Sequence, residues 1–203
     1  ELLQAANIAI ALQKPLLIKG EPGTGKTITT GSLGDVMKES VMAAITYIRS
    51  VAESYEIENT FYKDKDIHIH FPEGAVPKDG PSAGITTCTA LISALANIPV
   101  RHDVAMTGEI TLRGRVLAIG GLREKSMAAY KSGIKTVIIP AANEPDLAEI
   151  DDVVKKAIHF IPVHTMEEVL AQALVHLPDT AKKRSYHAAA AEHKENTSAV
   201  LCR

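Results

Sequence analysis

The chain has 203 residues, 46% hydrophobic and 23% charged, which is enough for one ample core and reads as an ordinary soluble globular protein with one main domain. A net charge of −2 with scattered lysines and arginines gives no electrostatic reason to expect a nucleic acid or an anionic membrane as partner, and no run approaches transmembrane length. Two cysteines, Cys88 and Cys202, suggest no disulfide framework and fit a reducing compartment, and the first residues lack the basic region of a signal or transit peptide.

Residues 2–13 carry an amphipathic helical pattern. The apolar run Pro15-Leu16-Leu17-Ile18-Lys19 then leads into Gly20-Glu21-Pro22-Gly23-Thr24-Gly25-Lys26-Thr27. This segment fits the phosphate-cradling pattern G-x-x-x-x-G-K-[ST], with Gly20, Gly25, Lys26 and Thr27 at its fixed positions. A working loop of this kind opens a helix onto the phosphates. Here Ile28-Thr29-Thr30-Gly31-Ser32 is β-branched and broken by glycine, and no apolar strand ending in an acidic Mg²⁺ ligand follows. The local expectation is a β-hairpin, with Leu16 to Lys19 paired to Thr27 to Thr30 across Pro22-Gly23-Thr24-Gly25. Asp35 to Tyr55 reads as a long helix with Val36, Val41, Ala44, Ile45, Ile48 and Ala52 inward, and Asp66 to Phe71 as a strictly alternating strand.

Lys78-Asp79-Gly80-Pro81-Ser82-Ala83-Gly84 sets a hydroxyl at the mouth of the next helix, whose stripe is Ile85, Cys88, Leu91, Ile92 and Leu95. Unpaired N–H groups and the positive end of a helix dipole at such a mouth suit a developing oxyanion. The plain alternative for Ser82 is a helix cap. A strand at Val104 to Met106 and a hairpin with Thr111 to Ile119 returning come next, Glu109 and Arg113 flanking the turn as a solvated pair. In the helix from Leu122 to Lys131, Lys125 falls between Ala128 on one side and Ala129 and Leu122 on the other, so it points inward. Burial lowers a lysine pKa and leaves a neutral amine that activates a serine, an arrangement known as an alternative to Ser-His-Asp. The competing reading is a lysine whose stem covers the core edge while its amine reaches water.

The remaining pattern gives a buried strand Thr136 to Ile139, a helix Glu144 to Ile150, a strand Ile158 to Val163 and a helix Met166 to His176, after which amphipathic patterning fails from Pro178. Helices covering a mixed sheet are expected. His68 and His70 share a strand face and, with His159 or His164, raise the thought of zinc, but no cysteine or acidic partner has matching spacing, so no metal site is expected. Gly80-Pro81-Ser82-Ala83-Gly84 also satisfies G-x-S-x-G, whose nucleophile elbow needs a core strand just before the serine. Pro72 to Asp79 reads as a loop instead, and Asp146 or Asp151 with His159 or His164 would leave little room for the intervening sheet.

Four segments in order carry a resemblance: Thr30-Gly31-Ser32-Leu33-Gly34-Asp35-Val36-Met37-Lys38-Glu39-Ser40, Pro72 to Gly84, Met106-Thr107-Gly108-Glu109-Ile110-Thr111-Leu112-Arg113-Gly114, and Gly120-Gly121-Leu122-Arg123-Glu124-Lys125. Together they closely resemble the proteolytic domain of Lon proteases over about residues 28–178. Residues 1–27 resemble the opening of a MoxR-type AAA ATPase with its Walker A motif. The organisation expected is therefore 1–27 ATPase-like, 28–178 proteolytic and 179–203 a disordered tail. The resemblance implies an α+β fold like domain 2 of ribosomal protein S5, with Ser82 as nucleophile, Lys125 as general base and Thr107 beside the lysine to orient it. It also implies unfolded or damaged polypeptides as substrates, a homohexameric ring held through ATPase and protease domains, and a cytoplasmic location. Peptide-bond chemistry then needs no cofactor, ATP and Mg²⁺ serving the family's motor. Neither ATP hydrolysis nor strong self-association is expected of these residues by themselves. Two alternatives remain: a nucleotide-binding module resting on Gly20 to Thr27, and a non-catalytic Lon-like interaction domain, against which the intact Ser-Lys pair argues.

Overall fold

The structure, a computed structural model, describes residues 27–30, 33–71 and 79–182. The expected helix at 2–13, the motif up to Lys26 and the part of the expected tail beyond 182 lie outside the described residues. Thr27 opens a strand, β1 (Thr27–Thr30), as its β-branched run suggests. Its partner among the described residues is β2 (Ile67–His70), in parallel, with Thr27 opposite Ile67 and Thr30 opposite His70. Between them runs α1 (Asp35–Val51), which tightens into a 3₁₀ turn at Ala52–Tyr55 before the short α2 (Phe61–Asp64).

The buried stripe of α1 is Met37, Val41, Ala44, Ile45, Ile48 and Val51, the spacing of one helical face. Val36, expected inward, is instead 45% exposed, because it lies about 100° round the helix from Met37 and off that stripe. A 3₁₀ turn at Pro81–Ala83 then runs into α3 (Gly84–Ala96), which is buried on every side from Gly84 to Ile92. The order continues with β3 (Val104–Met106), β4 (Glu109–Ile110), β5 (Val116–Leu117), α4 (Leu122–Lys131) and β6 (Thr136–Pro140). After a 3₁₀ segment at Ala141–Glu149 come α5 (Asp152–Ala157), β7 (His159–Val163) and α6 (Met166–Ala173).

Parallel and antiparallel pairing occur in separate small sheets: β1-β2 and β3-β6-β7 are parallel, while β4-β5 is an antiparallel hairpin. The three-stranded sheet is a two-faced layer. Val104, Met106 and Ile138 join the larger core with α1, α3 and α6, whereas Ala105, Val137 and Ile139 join a second core with Leu122 and Ala129 of α4 and Val154 of α5. Alternation along a strand sends neighbours to opposite faces, so β6 is buried throughout and apolar from Val137 to Pro140. Each such isoleucine taken fully out of water contributes about 1.5–3 kcal/mol.

Three differences from the sequence reading have local causes. The expected helix near Glu144 to Ile150 is 3₁₀ and begins earlier, with Pro145 inside it supplying no N–H for an α-helical bond. The short α5 buries only Val154, too little to show a helical period. Helix α6 starts on a capping box, Thr165 with Glu168, but stops at Ala173 because Leu174 makes an antiparallel bridge to Val100. Packing also runs four residues into the expected tail: Thr180 Oγ1 donates to the Ser54 carbonyl (2.7 Å) and Ala181 is buried.

One tertiary clamp joins α1 to the loop that carries Ser82. Gly34 at the head of α1 has no side chain to cap it, so the orphan N–H of Met37 donates to Asp79 Oδ1 (3.0 Å) from a distant loop. The same oxygen accepts from Gly80 N–H (2.9 Å), and the carboxylate favours the positive end of the helix. Gly80, at φ +124, takes a backbone shape that side chains rarely adopt. Any Cβ at residue 34 would overlap the Asp79 carboxylate. Gly34→Ala is therefore expected to displace the clamp and lower stability by about 0.5–2 kcal/mol, the usual cost of a lost cap. Urea unfolding checks this, and in an Asp79→Ala background the same substitution should cost much less, since the overlap is gone.

Candidate active site

Ser82 sits in the middle of the 3₁₀ turn that feeds α3, half-buried. Its main chain is tied to the residues just past edge strand β3. Gly108 N–H donates to the Ser82 carbonyl (2.9 Å), Thr107 Oγ1 donates to the same oxygen (3.3 Å), and Ile85 N–H donates back to the Gly108 carbonyl (3.1 Å). On the other side Ser40 Oγ donates to the Pro81 carbonyl (3.4 Å), so α1 holds the turn from behind. Because the Ser82–Ala83 peptide is planar and trans, fixing its carbonyl against Gly108 points the Ala83 N–H the opposite way.

Lys125 lies in the first turn of α4, which covers the opposite face of the parallel sheet. It is half-buried, and burial of its side chain lowers the amine's pKa below the ordinary lysine range, with the Glu124 carboxylate opposing the shift. Its Nζ donates to the Gly120 carbonyl (2.6 Å). The structure thus brings Ser82 and Thr107 into contact, while Lys125 is held on its own glycine loop. No hydrogen bond joins Lys125 to Ser82 or to Thr107 among the described residues.

Beside the Ser82 turn lies an open cleft of about 140 Å³. Val36, Ala43, Pro81 and Ile110 form its apolar walls, and Glu39 and Glu109 add carboxylates. This explains the exposed Val36, which faces the cleft rather than the core. It also corrects the reading of Glu109 as one half of a solvated pair. Glu109 belongs to β4, opposite Leu117, and forms no ion pair with the exposed Arg113 among the described residues.

The rival arrangements do not assemble. Asp79 and Gly80, just before the turn, are not in a strand, so the strand-to-serine step of a nucleophile elbow is absent there. Asp151 pairs with Arg123 (3.5 Å), Asp146 accepts from Asn143 (2.7 Å), and the backbone N–H of His164 donates to Glu168 Oε2 (2.6 Å), none of them at Ser82. Among the described residues no group of three or more His, Cys, Asp or Glu side chains is placed to hold a metal ion. Nor is any helix there long and apolar enough to cross a membrane. Cys88 is fully buried in α3, and burial pushes its thiol pKa well up, which removes it as a nucleophile.

Two residues at the site were not legible as functional from sequence. Asp79 was visible only as part of a motif, because its role depends on the N-terminus of α1, far away in the chain. Asn143 clasps the loop ahead of Lys125, and the only sequence signal was a polar residue just after the buried strand β6.

Residues 16–176 match the family described as the Lon protease (S16) C-terminal proteolytic domain, a stretch that includes the Gly20 to Thr27 segment. The chain is 60% identical over 154 residues to the Lon protease of Bacillus thuringiensis (strain Al Hakam) and 59% over 154 residues to that of Azospirillum brasilense. It is 58% identical over 154 residues to Lon protease 1 of Myxococcus xanthus. Each alignment covers 76% of this chain and 19% of the relative, so the chain spans about a fifth of the length of these relatives. With a family match across most of its length and identities of this size, the chain belongs to the Lon protease family, of which it carries the S16 C-terminal proteolytic domain.

Proposed function

We propose that this domain is a serine endopeptidase in which Ser82 is the nucleophile and Lys125 the general base, acting on unfolded or damaged polypeptide. The observation that carries the reading is the Ser82 turn. Its carbonyl is anchored inward on Gly108 and Thr107, and the N–H of Ala83, turned away from that anchor, would donate with the N–H of Ser82 to an oxyanion beside an exposed cleft. An extended substrate segment would lay a side chain against Val36, Ala43 and Ile110, with its scissile carbonyl over those donors.

Lys125 would then exchange its Gly120 bond for the Ser82 hydroxyl by rotation about its flexible four-carbon stem. The neutral amine takes the Oγ proton as oxygen attacks the carbonyl carbon, and returns it to the departing amine as the peptide bond breaks. A water activated by the same lysine cleaves the acyl ester and restores Ser82. Thr107, whose hydroxyl now donates to the Ser82 carbonyl, orients the pair from below.

The wider reading follows the family: a six-membered ring, ATP and Mg²⁺ consumed by a motor domain, a cytoplasmic setting, and no cofactor for bond cleavage itself. For residues 1–27 the proposed likeness to a MoxR-type ATPase rests on the Gly20 to Thr27 motif, which the Lon family match also spans. Thr27 begins a strand rather than a phosphate-facing helix, which supports a structural role for that segment. No ATP hydrolysis above background is expected from this chain, and Lys26→Ala should leave peptidase activity unchanged. Phosphate release that disappears in Lys26→Ala would reverse this assignment.

Cleavage of unfolded casein tests the dyad. Ser82→Ala should abolish turnover with circular dichroism unchanged, and Lys125→Arg, which stays charged, should lower kcat by about 10²–10⁴-fold. Because burial holds the Lys125 pKa down, activity should rise with pH as the amine loses its proton and reach its plateau below the ordinary lysine range. Substantial cleavage by Lys125→Arg with the same pH limb would remove lysine as the base.

A further inference from the structure

Segment 118–121, between β5 and α4, holds the atom on which Lys125 rests, yet it is poorly restrained by its own chemistry. Gly120 and Gly121 are consecutive and exposed, and Gly121 adopts φ +70 as the residue before α4. Two glycines in a row leave the backbone free to move unless something outside grips it. The grip comes from Asn143, in the 3₁₀ segment that packs against α4. Its Oδ1 accepts from Ile119 N–H (2.9 Å), and its Nδ2 donates to the Ile119 carbonyl (2.8 Å) and to Asp146 Oδ2 (2.7 Å). Those partners fix which end of the carboxamide is oxygen, since the reverse orientation would set donor against donor and acceptor against acceptor. The Asn143 residue is only 4% exposed, so losing these bonds would leave buried polar groups unpaired.

We propose that Asn143 is a positioning residue for Lys125: by clasping both polar groups of Ile119 it fixes the adjoining Gly120 carbonyl and so sets where the lysine amine sits and how well it is shielded. Asn143 does not touch Lys125, and it acts through one residue of backbone. Ile119 also packs its side chain on the second core, but only the carboxamide fixes the direction of the peptide that leads to Gly120. The chain of contact runs from Asn143 to Ile119, across one peptide to the Gly120 oxygen, and from there to Lys125 Nζ at 2.6 Å. Of the charged groups nearby, Glu124 on α4 acts on the lysine directly and favours its ammonium form, while Asp146 on the 3₁₀ segment is engaged by Asn143.

The consequence for catalysis rests on the dyad reading above, so the test has one arm that does not need peptidase activity. With the clasp removed by Asn143→Ala, water reaches the Lys125 stem and the amine titrates closer to its ordinary range. The pH limb of kcat on casein should move up by about one unit, with an about tenfold fall at fixed neutral pH, because one unit is a tenfold change in the neutral fraction. KM should stay within about twofold, as Asn143 does not line the cleft beside the Ser82 turn. In parallel, amine-reactive labelling of Lys125 across pH, read by peptide mass spectrometry in the Ser82→Ala background, should show the same upward shift. If Asn143→Ala does not fold, Asp146→Ala serves in its place, since it removes one bond of the clasp and should shift both curves the same way by less. A variant that folds and loses activity while the pH limb and the labelling curve both keep their wild-type midpoints would overturn the proposal and leave Asn143 a stability residue. If the wild-type chain does not cleave casein, the function fails while the labelling shift still decides the positioning role.

Discussion

The site depends on one reciprocal set of bonds, between the Ser82 turn and the two residues past β3. Gly108 gives its N–H to the Ser82 carbonyl and takes the N–H of Ile85, and Thr107 adds its hydroxyl to the same carbonyl. One peptide oxygen is thus held by two donors, which sets the plane of the Ser82–Ala83 peptide and with it the direction of the Ala83 N–H. A free helix mouth would offer several N–H groups in loose directions. Here the sheet itself aims one of them. Thr107 in turn gives its own N–H to the Ile138 carbonyl (3.1 Å), so the restraint runs into the middle strand of the buried sheet.

The two halves of the proposed dyad arrive by different routes and with different stiffness. Ser82 enters from the larger core, gripped by α1 through Asp79 and Ser40 and by the end of β3 through Gly108. Lys125 enters from the other face of the sheet, on a helix preceded by two glycines. The nucleophile and its oxyanion donors must be pre-set before substrate arrives, because reorganising dipoles during the reaction costs what catalysis gains. A proton carrier has the opposite need, since it serves the serine, the leaving amine and a water in turn. In the proposed dyad, a stiff serine and a lysine on a long flexible stem meet both needs.

How much of this was legible in the sequence follows from the range of each interaction. Local period gave α1, α3, β2 and the buried β6, and it placed Ser82 at a helix mouth and Lys125 on an apolar flank. It failed where an element hides too few side chains to show a period, as in α5, or where one proline changes the hydrogen-bond pattern, as at Pro145. Val36 was misread for a related reason: an apolar residue beside a core stripe looks the same whether it meets core or cleft. Asp79 and Asn143 escaped because each acts on backbone atoms remote in sequence, and backbone atoms carry no residue identity for a motif to show.

The resting place of Lys125 links proton loss to movement. Burial favours the neutral amine, whereas the Gly120 carbonyl at 2.6 Å and the nearby Glu124 favour the ammonium. A carbonyl holds a charged donor about twice as strongly as a neutral one. When the proton leaves, the hold on Gly120 weakens in the same step that turns the nitrogen into a base. In the proposed dyad, the species able to accept the Ser82 proton is therefore also the species freest to reach it, and a protonated lysine stays docked on Gly120.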